Sequence, residues 1–595
     1  MDIGVQIKEL REEKNIIRED LALGICTAES LGNIEQGKET VNKLFMEIVF
    51  QRLGKSTDKL ELIVSEEVYD EELLIEQYEE CLEKGDGAQA EIILEAWVKA
   101  APEDSNVHHM LYCRNKAYAE LRVKGNPAGA KEWMQKALDI TMPGWQQKSL
   151  EAYWISTLEM ENLLAYAKAQ LAIGTEPELK GAERLLLACQ QFIDGRVTDG
   201  EEHVKIFAKC AHLLAELHIK RRNYTQAETL AVRAFQELQT YGISYFMEPL
   251  LKVLVRCNKE DGGKKKKPYQ NYLMALQHLK AYVGEEWRFS DSIFKNCSQQ
   301  TYYLDHELFR EERIVQGYSQ EQMIEGVYKN SESLSRAERG KVTMRDSKLI
   351  RLFRRLGIEK SRYNEFVVTD DYEVLELKQQ VDILLSRNCD KEAEEKLEEL
   401  RRKLDLNIAE NRRTIQGYEI ALGTVRDDIS KGELLEQALN LLQETYRLRT
   451  NGVYRVPMDR EAVLINQIGI LLRQIEKEEE AMQLFHLVTE KMKTSKISMK
   501  KRSREYSLLR TNLAKWEQSV KLAKENLGFT LACGKLRSLP MNYMTIACAL
   551  IDDPANREIC REMIKDAYIL WEIVQNEVNK EITRQYYVKK FEEEL

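Results

Sequence analysis

Proline and glycine are scarce in this sequence, at 9 and 29 of 595 residues. Sheets use these residues in their turns, whereas long tracts rich in Leu, Ala, Glu, Lys and Gln are typical of consecutive helices. We therefore predict an all-α fold. Because the chain exceeds the length at which one hydrophobic core keeps growing, we also expect several folding units.

Long apolar runs and paired cysteines are missing as well. No stretch reaches the roughly 18 apolar residues of a membrane-spanning helix, and the N-terminal sequence MDIGVQIKELREEK lacks the layout of a signal peptide. The 11 cysteines are scattered and include no C-x-x-C pair, which argues against a disulfide framework or a zinc site. These absences predict a cytoplasmic protein with no membrane partner, no metal and no other cofactor.

Sequence signatures of catalytic sites are not found either. The chain contains no H-E-x-x-H, G-x-S-x-G, G-x-G-x-x-G or kinase signature. The GKS at 54–56 lacks the glycine that a phosphate-binding loop needs five residues before Gly54, where Val49 stands. The basic tract GGKKKK at 262–267 is typical of a solvated loop, with contact to DNA phosphates as the alternative. The sequence therefore predicts a protein that is not an enzyme.

What the sequence does contain is an internal repeat at a constant offset of 303 residues. Residues 27–54, TAESLGNIEQGKETVNKLFMEIVFQRLG, align without a gap on residues 330–357, NSESLSRAERGKVTMRDSKLIRLFRRLG. The coinciding residues are Glu29/Glu332, Ser30/Ser333, Leu31/Leu334, Glu35/Glu338, Gly37/Gly340, Lys38/Lys341, Arg52/Arg355 and Leu53/Leu356. The same offset places Ala90 on Ala393, so we interpret the chain as two copies of one plan.

Each copy opens with a predicted helix-turn-helix. In the second copy, Ser319 begins SQEQ, which has the capping-box form that starts a helix. Gly326 supplies a break, and Asn330 is placed to cap a third helix that Gly340 ends. The order of helix, tight turn and helix is that of a DNA-binding helix-turn-helix.

The residues REER, SQEQM, EGV, NSESLSRAERGK and LFRRLG resemble the Xre/Cro/C1 family of DNA-binding domains, and the first copy matches through REEK, EDLALGI, TAESLGNIEQGK and QRLG. The resemblance implies that the third helix enters the major groove. The base-reading positions it implies are Ala28, Glu29 and Asn33 in the first copy and Ser331, Glu332 and Arg336 in the second. The positions it implies nearer phosphates are Ser30, Ser333, Lys38, Lys341 and Gln320, with Arg18 in the place of Gln320 in the first copy.

Local charge distinguishes the two helix-turn-helix segments, although the whole chain carries −11. Residues 1–59 contain nine Lys and Arg against eleven Asp and Glu, which is unfavourable for phosphate binding. Residues 305–362 contain thirteen against ten, with a basic cluster around the third helix: Arg336, Arg339, Lys341, Arg345, Lys348, Arg351, Arg354 and Arg355. We therefore expect the second segment to bind DNA, with Arg336 able to contact guanine, and the first to be either a weaker DNA binder or a degenerate packing or dimerisation unit.

The rest of each copy has small and apolar residues at the spacing of helical hairpins. The clearest unit runs from 208 to about 238, with RRNY at 221–224 as the turn and Leu214, Ala215, Ala227, Ala231 and Ala234 at the close-packing positions. A second unit runs from 462 to 492, with Ile465, Ile468, Gly469, Leu472, Ala481 and Phe485 in the same frame. These arrays resemble irregular tetratricopeptide repeats. The predicted domains are a helix-turn-helix at 1–60, an array at 66–300, a second, basic helix-turn-helix at 303–363 and a second array at 370–595.

This combination resembles the peptide-responsive quorum-sensing regulators of Gram-positive bacteria, the Rgg/PlcR/PrgX/NprR group, which carry one helix-turn-helix where this chain has two. The resemblance implies a signalling peptide held by amide side chains, for which Asn162, Asn466, Gln467 and Asn512 are candidates; ordinary surface or capping amides are the alternative. The function we predict is a sequence-specific transcriptional regulator that binds double-stranded DNA under the control of a peptide or protein, with homodimerisation expected. The alternative is an interaction scaffold or anti-activator whose helix-turn-helix segments do not bind DNA.

Overall fold

The computed structural model describes residues 3–39, 43–100, 105–260, 268–284, 292, 301–344, 346–358, 366–426, 429–445, 456–497 and 501–595. Over these residues the chain forms 29 α-helices and two short strands, which confirms the all-α prediction. The tract 262–267 and Arg345 lie outside the described residues. The chain divides into two compact units, the first containing described residues of 1–58 and 64–273 with Ser292, and the second those of 59–63, 274–284 and 301–595.

The first unit begins with four helices that we call head one: α1 (Ile3–Glu13), α2 (Arg18–Ala22), α3 (Ala28–Glu35) and α4 (Lys43–Arg52). The helices after it, which we call array one, are α5 (Glu66–Lys84), α6 (Gly87–Ala100), α7 (Asn106–Arg122), α8 (Pro127–Thr141), α9 (Thr157–Ile173), α10 (Glu176–Arg196), α11 (Gly200–Lys220), α12 (Tyr224–Tyr241), α13 (Met247–Glu260) and α14 (Tyr269–Val283). The last residues of α14, from Met274 on, belong to the second unit.

Array one is a series of hairpins in which each helix packs against the next. Its helix boundaries follow from local signals: Ser156 and Glu159 form a capping box at the start of α9, and Gly174 ends that helix with a φ of +76°. Alternate helices also contact each other, because α9 packs on α11 and α11 on α13. The alanines predicted at close-packing positions of α12 are buried: Ala227, Ala231 and Ala234. Such contacts between alternate helices are typical of stacked helical repeats.

The second unit contains four helices that we call head two: α15 (Asp305–Val315), α16 (Gln320–Ile324), α17 (Ser331–Glu338) and α18 (Asp346–Arg355). Array two follows with α19 (Tyr372–Ser386), α20 (Asp390–Lys403), α21 (Ala409–Gly423), α22 (Lys431–Thr445), α23 (Asp459–Gln474), α24 (Glu478–Met492), α25 (Ser503–Glu517), α26 (Val520–Ala532), α27 (Leu539–Leu550), α28 (Arg557–Ile573) and α29 (Glu577–Phe591). The strands β1 (Leu62–Val64) and β2 (Tyr302–Leu304) pair in a two-stranded sheet.

Close backbone approach shapes the hairpin of α23 and α24 in array two. Gly469 faces the ring of Phe485, and a β-carbon at Gly469 would overlap that ring. Phe485 in turn stacks on Trp516 of α25, with ring centroids 4.7 Å apart. A small residue at 469 is therefore required for the aromatic side chain to fill the space between the helices.

Candidate nucleic-acid interface

Helix α17 of head two is oriented by its N-terminal cap and by its apolar face. The Asn330 Oδ1 atom accepts hydrogen bonds from the Ser333 N–H at 3.0 Å and from the Ser333 hydroxyl at 2.8 Å. Leu334 and Ala337 are buried in a core that also contains Phe309 and Phe353. With that face turned inward, the opposite face of α17 lies at the surface.

A buried arginine and glutamate join the helices of each head. In head two, Arg313 donates to both oxygens of Glu338, at 2.6 and 3.0 Å, and also to the Tyr318 carbonyl at 2.7 Å. Head one repeats this arrangement with Arg11, Glu35 and the Ile16 carbonyl at 2.6, 3.0 and 3.0 Å. The pair fixes the angle between the first and third helices, because both oxygens of the carboxylate are held.

The side chains expected to reach phosphates at the start of the second helix are instead hydrogen-bonded to these glutamates. Gln320 donates to Glu338 Oε2 at 2.6 Å, and Arg18 donates to Glu35 Oε2 at 2.8 Å. Burial opposes ionisation of Glu35, but hydrogen bonds from Arg11 and Arg18 outweigh it and lower the pKa of the Glu35 carboxyl. In this structure, both residues therefore serve to hold α2 and α16 against the neighbouring helix.

The outer surface of head two is basic. Its exposed cationic residues between positions 336 and 355, which we call the basic face, are Arg336, Arg339, Lys341, Arg351, Arg354 and Arg355. The side chain of Arg336 makes no hydrogen bond or ion pair with any residue that the structure describes. Lys348, half-buried, lies over the Tyr328 ring at 4.2 Å from the ring centroid. The predicted residues Ser331 and Ser333 are half-buried and Glu332 is exposed on the same helix.

The corresponding surface of head one is occupied by a carboxylate. Glu39 is exposed and accepts a hydrogen bond from the Ser30 hydroxyl at 2.9 Å and another from Asn33 Nδ2 at 3.0 Å. Of the other predicted residues, Glu29 and Lys38 are exposed and Ala28 is half-buried. Two of the polar side chains that the sequence places at the DNA surface are thus already bonded within the chain.

Head one is also anchored to array one through Arg52. This arginine is 3% exposed and donates to both oxygens of Glu159 on α9, at 3.1 and 2.5 Å. It donates as well to the carbonyls of Leu21 and Leu23, both at 2.8 Å. The turn between α2 and α3 approaches the array closely, since a side chain at Gly24 would overlap the backbone of Thr141. The sequence did not predict this anchor, although the internal repeat places Arg52 and Arg355 at equivalent positions.

Arg355 of head two makes only part of this set of contacts. It donates to the Met323 carbonyl at 2.6 Å and to the Glu325 carbonyl, which correspond to the two carbonyls that Arg52 holds. It forms no ion pair with any carboxylate among the described residues, and its side chain is exposed. The arginine at this position therefore stabilises the turn after the second helix in both heads, and in head one Arg52 also binds array one.

A charged network crosses four helices of array one. Glu161 of α9 accepts hydrogen bonds from Arg114 at 2.8 Å, from the Tyr118 hydroxyl at 2.8 Å and from Lys209 at 3.1 Å. Arg114 also donates to Glu79 of α5 at 3.2 Å. Burial opposes ionisation of Glu161, but the charges of Arg114 and Lys209 dominate and lower its pKa to about 2. These residues were not singled out from the sequence, because they are dispersed over 131 positions, from 79 to 209.

The candidate peptide-binding amides lie in different surroundings. Asn162 is fully buried and donates to Met110 Sδ at 3.0 Å. In array two, Asn512 donates to Asn466 Oδ1 at 2.8 Å, which links α25 to α23. Gln467 is half-buried, and its Oε1 atom has no hydrogen-bond partner among the described residues. The structure therefore brings Asn466 and Asn512 together and leaves Asn162 away from the surface.

In array two, buried and half-buried amide side chains form a row that continues from Asn466 and Asn512 to residues that were not predicted. Asn526 of α26 donates to Thr511 Oγ1 at 2.9 Å and to Asn542 Oδ1 at 3.2 Å. Asn542 of α27 donates to the same Thr511 hydroxyl at 3.1 Å. The row is neutral, in contrast to the charged network of array one. Its signal in the sequence is weak, because asparagines separated by 14 and 16 residues, at 512, 526 and 542, are not distinctive without the helix boundaries.

In the part of the chain that the structure describes, no group of three or more His, Cys, Asp and Glu side chains could hold a metal ion. Among the same residues, none of the helices combines the length and the apolar character needed to cross a membrane.

Comparison with known proteins includes solved structures that match about half of this chain. No protein-family model and no curated protein matches the chain. The chain is similar to Bacillus thuringiensis PlcR in complex with the peptide PapR7 and DNA, with 16% identity and a TM-score of 0.32 over 47% of this chain and 98% of that chain. It is also similar to ComR from S. thermophilus in complex with DNA and its signalling peptide ComS, with 15% identity and a TM-score of 0.30 over 48% of this chain and 99% of that chain.

Proposed function

We propose that the chain is a cytoplasmic transcriptional regulator of the Xre type, built from two copies of one plan, in which head two binds an operator. The observation that carries the proposal is the basic face of head two. Its cations are exposed around a capped helix of the length and position expected for DNA reading, and Arg336 is not engaged by any described side chain. Exposed Lys and Arg supply the phosphate attraction that DNA binding requires, even where the whole chain is acidic.

The two-copy interpretation is supported by contacts as well as by sequence. The pair Arg313 and Glu338 in head two has the same bonding as Arg11 and Glu35 in head one, including the additional backbone carbonyl. Arg355 and Arg52 likewise hold equivalent carbonyls. A recurring set of side-chain contacts, rather than helix lengths alone, supports one ancestral plan.

In this proposal, the helical arrays receive a peptide or protein that controls DNA binding, and two chains associate on DNA. Stacked helical hairpins offer an extended surface for such a ligand. Asn466 is buried and its Oδ1 is engaged by Asn512, so the half-buried Gln467, whose side-chain oxygen has no partner among the described residues, is the candidate that we retain for contact with a peptide backbone. A peptide that acts here should lose its effect on operator affinity in Gln467→Ala.

The experiment that tests DNA binding uses the full chain and an operator selected from genomic fragments. We expect Ser331→Ala with Arg336→Ala to weaken binding by about 1–3 kcal/mol per lost base contact, whereas Glu29→Ala with Asn33→Ala in head one leaves it unchanged. Lys341→Ala should reduce the slope of log affinity against log salt by about 1. Unchanged affinity in the head-two variant would contradict the assignment of α17.

A second candidate function is an interaction scaffold or anti-activator, favoured by the acidic surface of head one. Salt dependence separates the two functions. Binding through phosphates must weaken steeply with added salt, because counterions released from DNA compete with the protein. Capture of a protein by a mainly apolar groove would show little salt dependence.

A further inference from the structure

The two heads differ four residues after the third helix, which is α3 in head one and α17 in head two and which we call the reading helix. Gly37 and Lys38 of head one coincide with Gly340 and Lys341 of head two, but the next residue is Glu39 in head one and Val342 in head two. Val342 is 46% exposed, and Glu39 is exposed as well. This position therefore sets the chemistry at the edge of the surface that would face DNA.

Glu39 engages both polar side chains that α3 presents at this edge. Its two oxygens each take one donor, Ser30 at 2.9 Å and Asn33 at 3.0 Å. Asn33 occupies the place of Arg336 in head two, which is the base-reading position with the greatest reach. The bond to Glu39 takes one of the two N–H donors of the Asn33 amide and fixes the orientation of the amide, which competes with the paired contact to adenine that Asn makes in the major groove.

The contacts of head two at the same positions are different. Ser333 turns back to its own helix cap, Asn330, with 2.8 Å between the two oxygens. No acidic residue follows Lys341, since Val342 and Thr343 stand there. Among the described residues, positions 333 and 336 of α17 therefore lack the carboxylate bridge that positions 30 and 33 of α3 carry.

We propose that Glu39 closes the reading helix of head one to DNA and that an uncharged residue at position 342 is what keeps head two open. The carboxylate acts in two ways: it occupies the donors of Ser30 and Asn33, and it places a negative charge where a phosphate would approach. This inference rests on the proposed function of head two. It goes beyond that function in assigning the difference between the heads to a single side chain.

The test transfers the carboxylate to head two in the full chain. Val342→Glu is compared with Val342→Gln, which has nearly the same size and no charge, on the operator selected with the parent chain. We expect Val342→Glu to weaken binding by about tenfold or more, because it adds a negative charge to the phosphate-facing surface. Val342→Gln should stay within about threefold of the parent, because the phosphate attraction is unchanged. Equal affinities for the two variants would overturn the proposal.

The reciprocal variant examines head one directly. In a chain already disabled by Ser331→Ala and Arg336→Ala, Glu39→Gln should raise the residual, salt-dependent affinity for duplex DNA by about threefold or more, because one repulsive charge is removed. The gain should become smaller when Asn33→Ala is added, because the Asn33 amide released from Glu39 then no longer contributes. Absence of any gain would overturn the assignment to Glu39.

The outcomes separate this inference from the proposed function. If the parent chain selects no operator and shows no salt-dependent binding, then the proposed function fails before position 342 is tested. If the parent binds and Val342→Glu binds equally well, only the present inference fails. Circular dichroism and hydrogen exchange of peptides from α15 to α18 identify any variant that has lost its fold. Val342→Thr serves as a second uncharged reference beside Val342→Gln.

Discussion

Replacement of Arg52 by methionine should destabilise head one far more than the same change destabilises head two. In head one the change removes a buried guanidinium and leaves the Glu159 carboxylate, which is fully buried, with only Ser156 as a donor among the described contacts. Breaking a buried ion pair by removing one partner costs about 3–5 kcal/mol, because the remaining charge is not compensated. Arg355→Met loses two hydrogen bonds to backbone carbonyls at an exposed site and should cost about 1–2 kcal/mol.

Hydrogen exchange of the full chain measures this difference without assuming that all of the chain unfolds together. Peptides covering α4 and α9 report on Arg52→Met, and peptides covering α18 report on Arg355→Met. The difference of about 2–3 kcal/mol corresponds to a 30- to 150-fold greater increase in opening for head one. A double-mutant cycle with Glu159→Gln measures the coupling within the ion pair, since the double variant Arg52→Met/Glu159→Gln leaves no buried charge behind. Equal increases in both heads would refute the reasoning that burial of Glu159 makes the anchor strong.

Two further predictions concern the arrays. The pKa of Glu161 lies at about 2 and that of an unfolded glutamate at about 4.3, so its stabilising contribution is complete above pH 4.3 and is lost as pH falls toward 2. Glu161→Gln should therefore lower the stability of array one at pH 7 and flatten the dependence of that stability on pH between about 2 and 4.3. Hydrogen exchange of peptides from α7 to α11 measures both effects. If the variant loses stability in acid as the parent does, Glu161 is not the source of the pH dependence. Gly469→Ala should destabilise array two by about 1–3 kcal/mol, because the added β-carbon overlaps the Phe485 ring. Gly417→Ala adds a β-carbon with no atom within 4 Å and should stabilise α21 by about 0.5–1 kcal/mol. Urea unfolding measures both changes.

Features that depend on neighbours in the sequence could be predicted, and the structure contains them. The capping box predicted at Ser319 forms with Gln322, and Asn330 caps the next helix as expected. The small residues predicted to pack closely in α12 are buried, and Gly469 lies against an aromatic ring. These signals are readable because caps and close-packing positions act within a few residues of each other.

The long-range polar contacts could not be predicted. Arg52 and Glu159 are 107 residues apart, and nothing in either local sequence indicates that they meet. The Glu161 network draws five residues from four helices, and in the sequence each of them resembles an ordinary polar position. Glu39 was overlooked because a carboxylate beside a helix end is common, and only the geometry reveals that both of its oxygens hold reading-helix donors. The basic face was predicted because its cations lie within 20 residues of sequence, from Arg336 to Arg355.

The anchor of head one has a consequence for dissecting this protein into fragments. A cut near residue 60 would separate the Arg52 guanidinium from its carboxylate and expose the apolar helix α4, in which Met46, Ile48 and Phe50 are buried. An isolated N-terminal piece of that length should therefore be poorly soluble, whatever its affinity for DNA. Boundaries that retain α1 to α13 together preserve the pairing, and expression trials should begin from them.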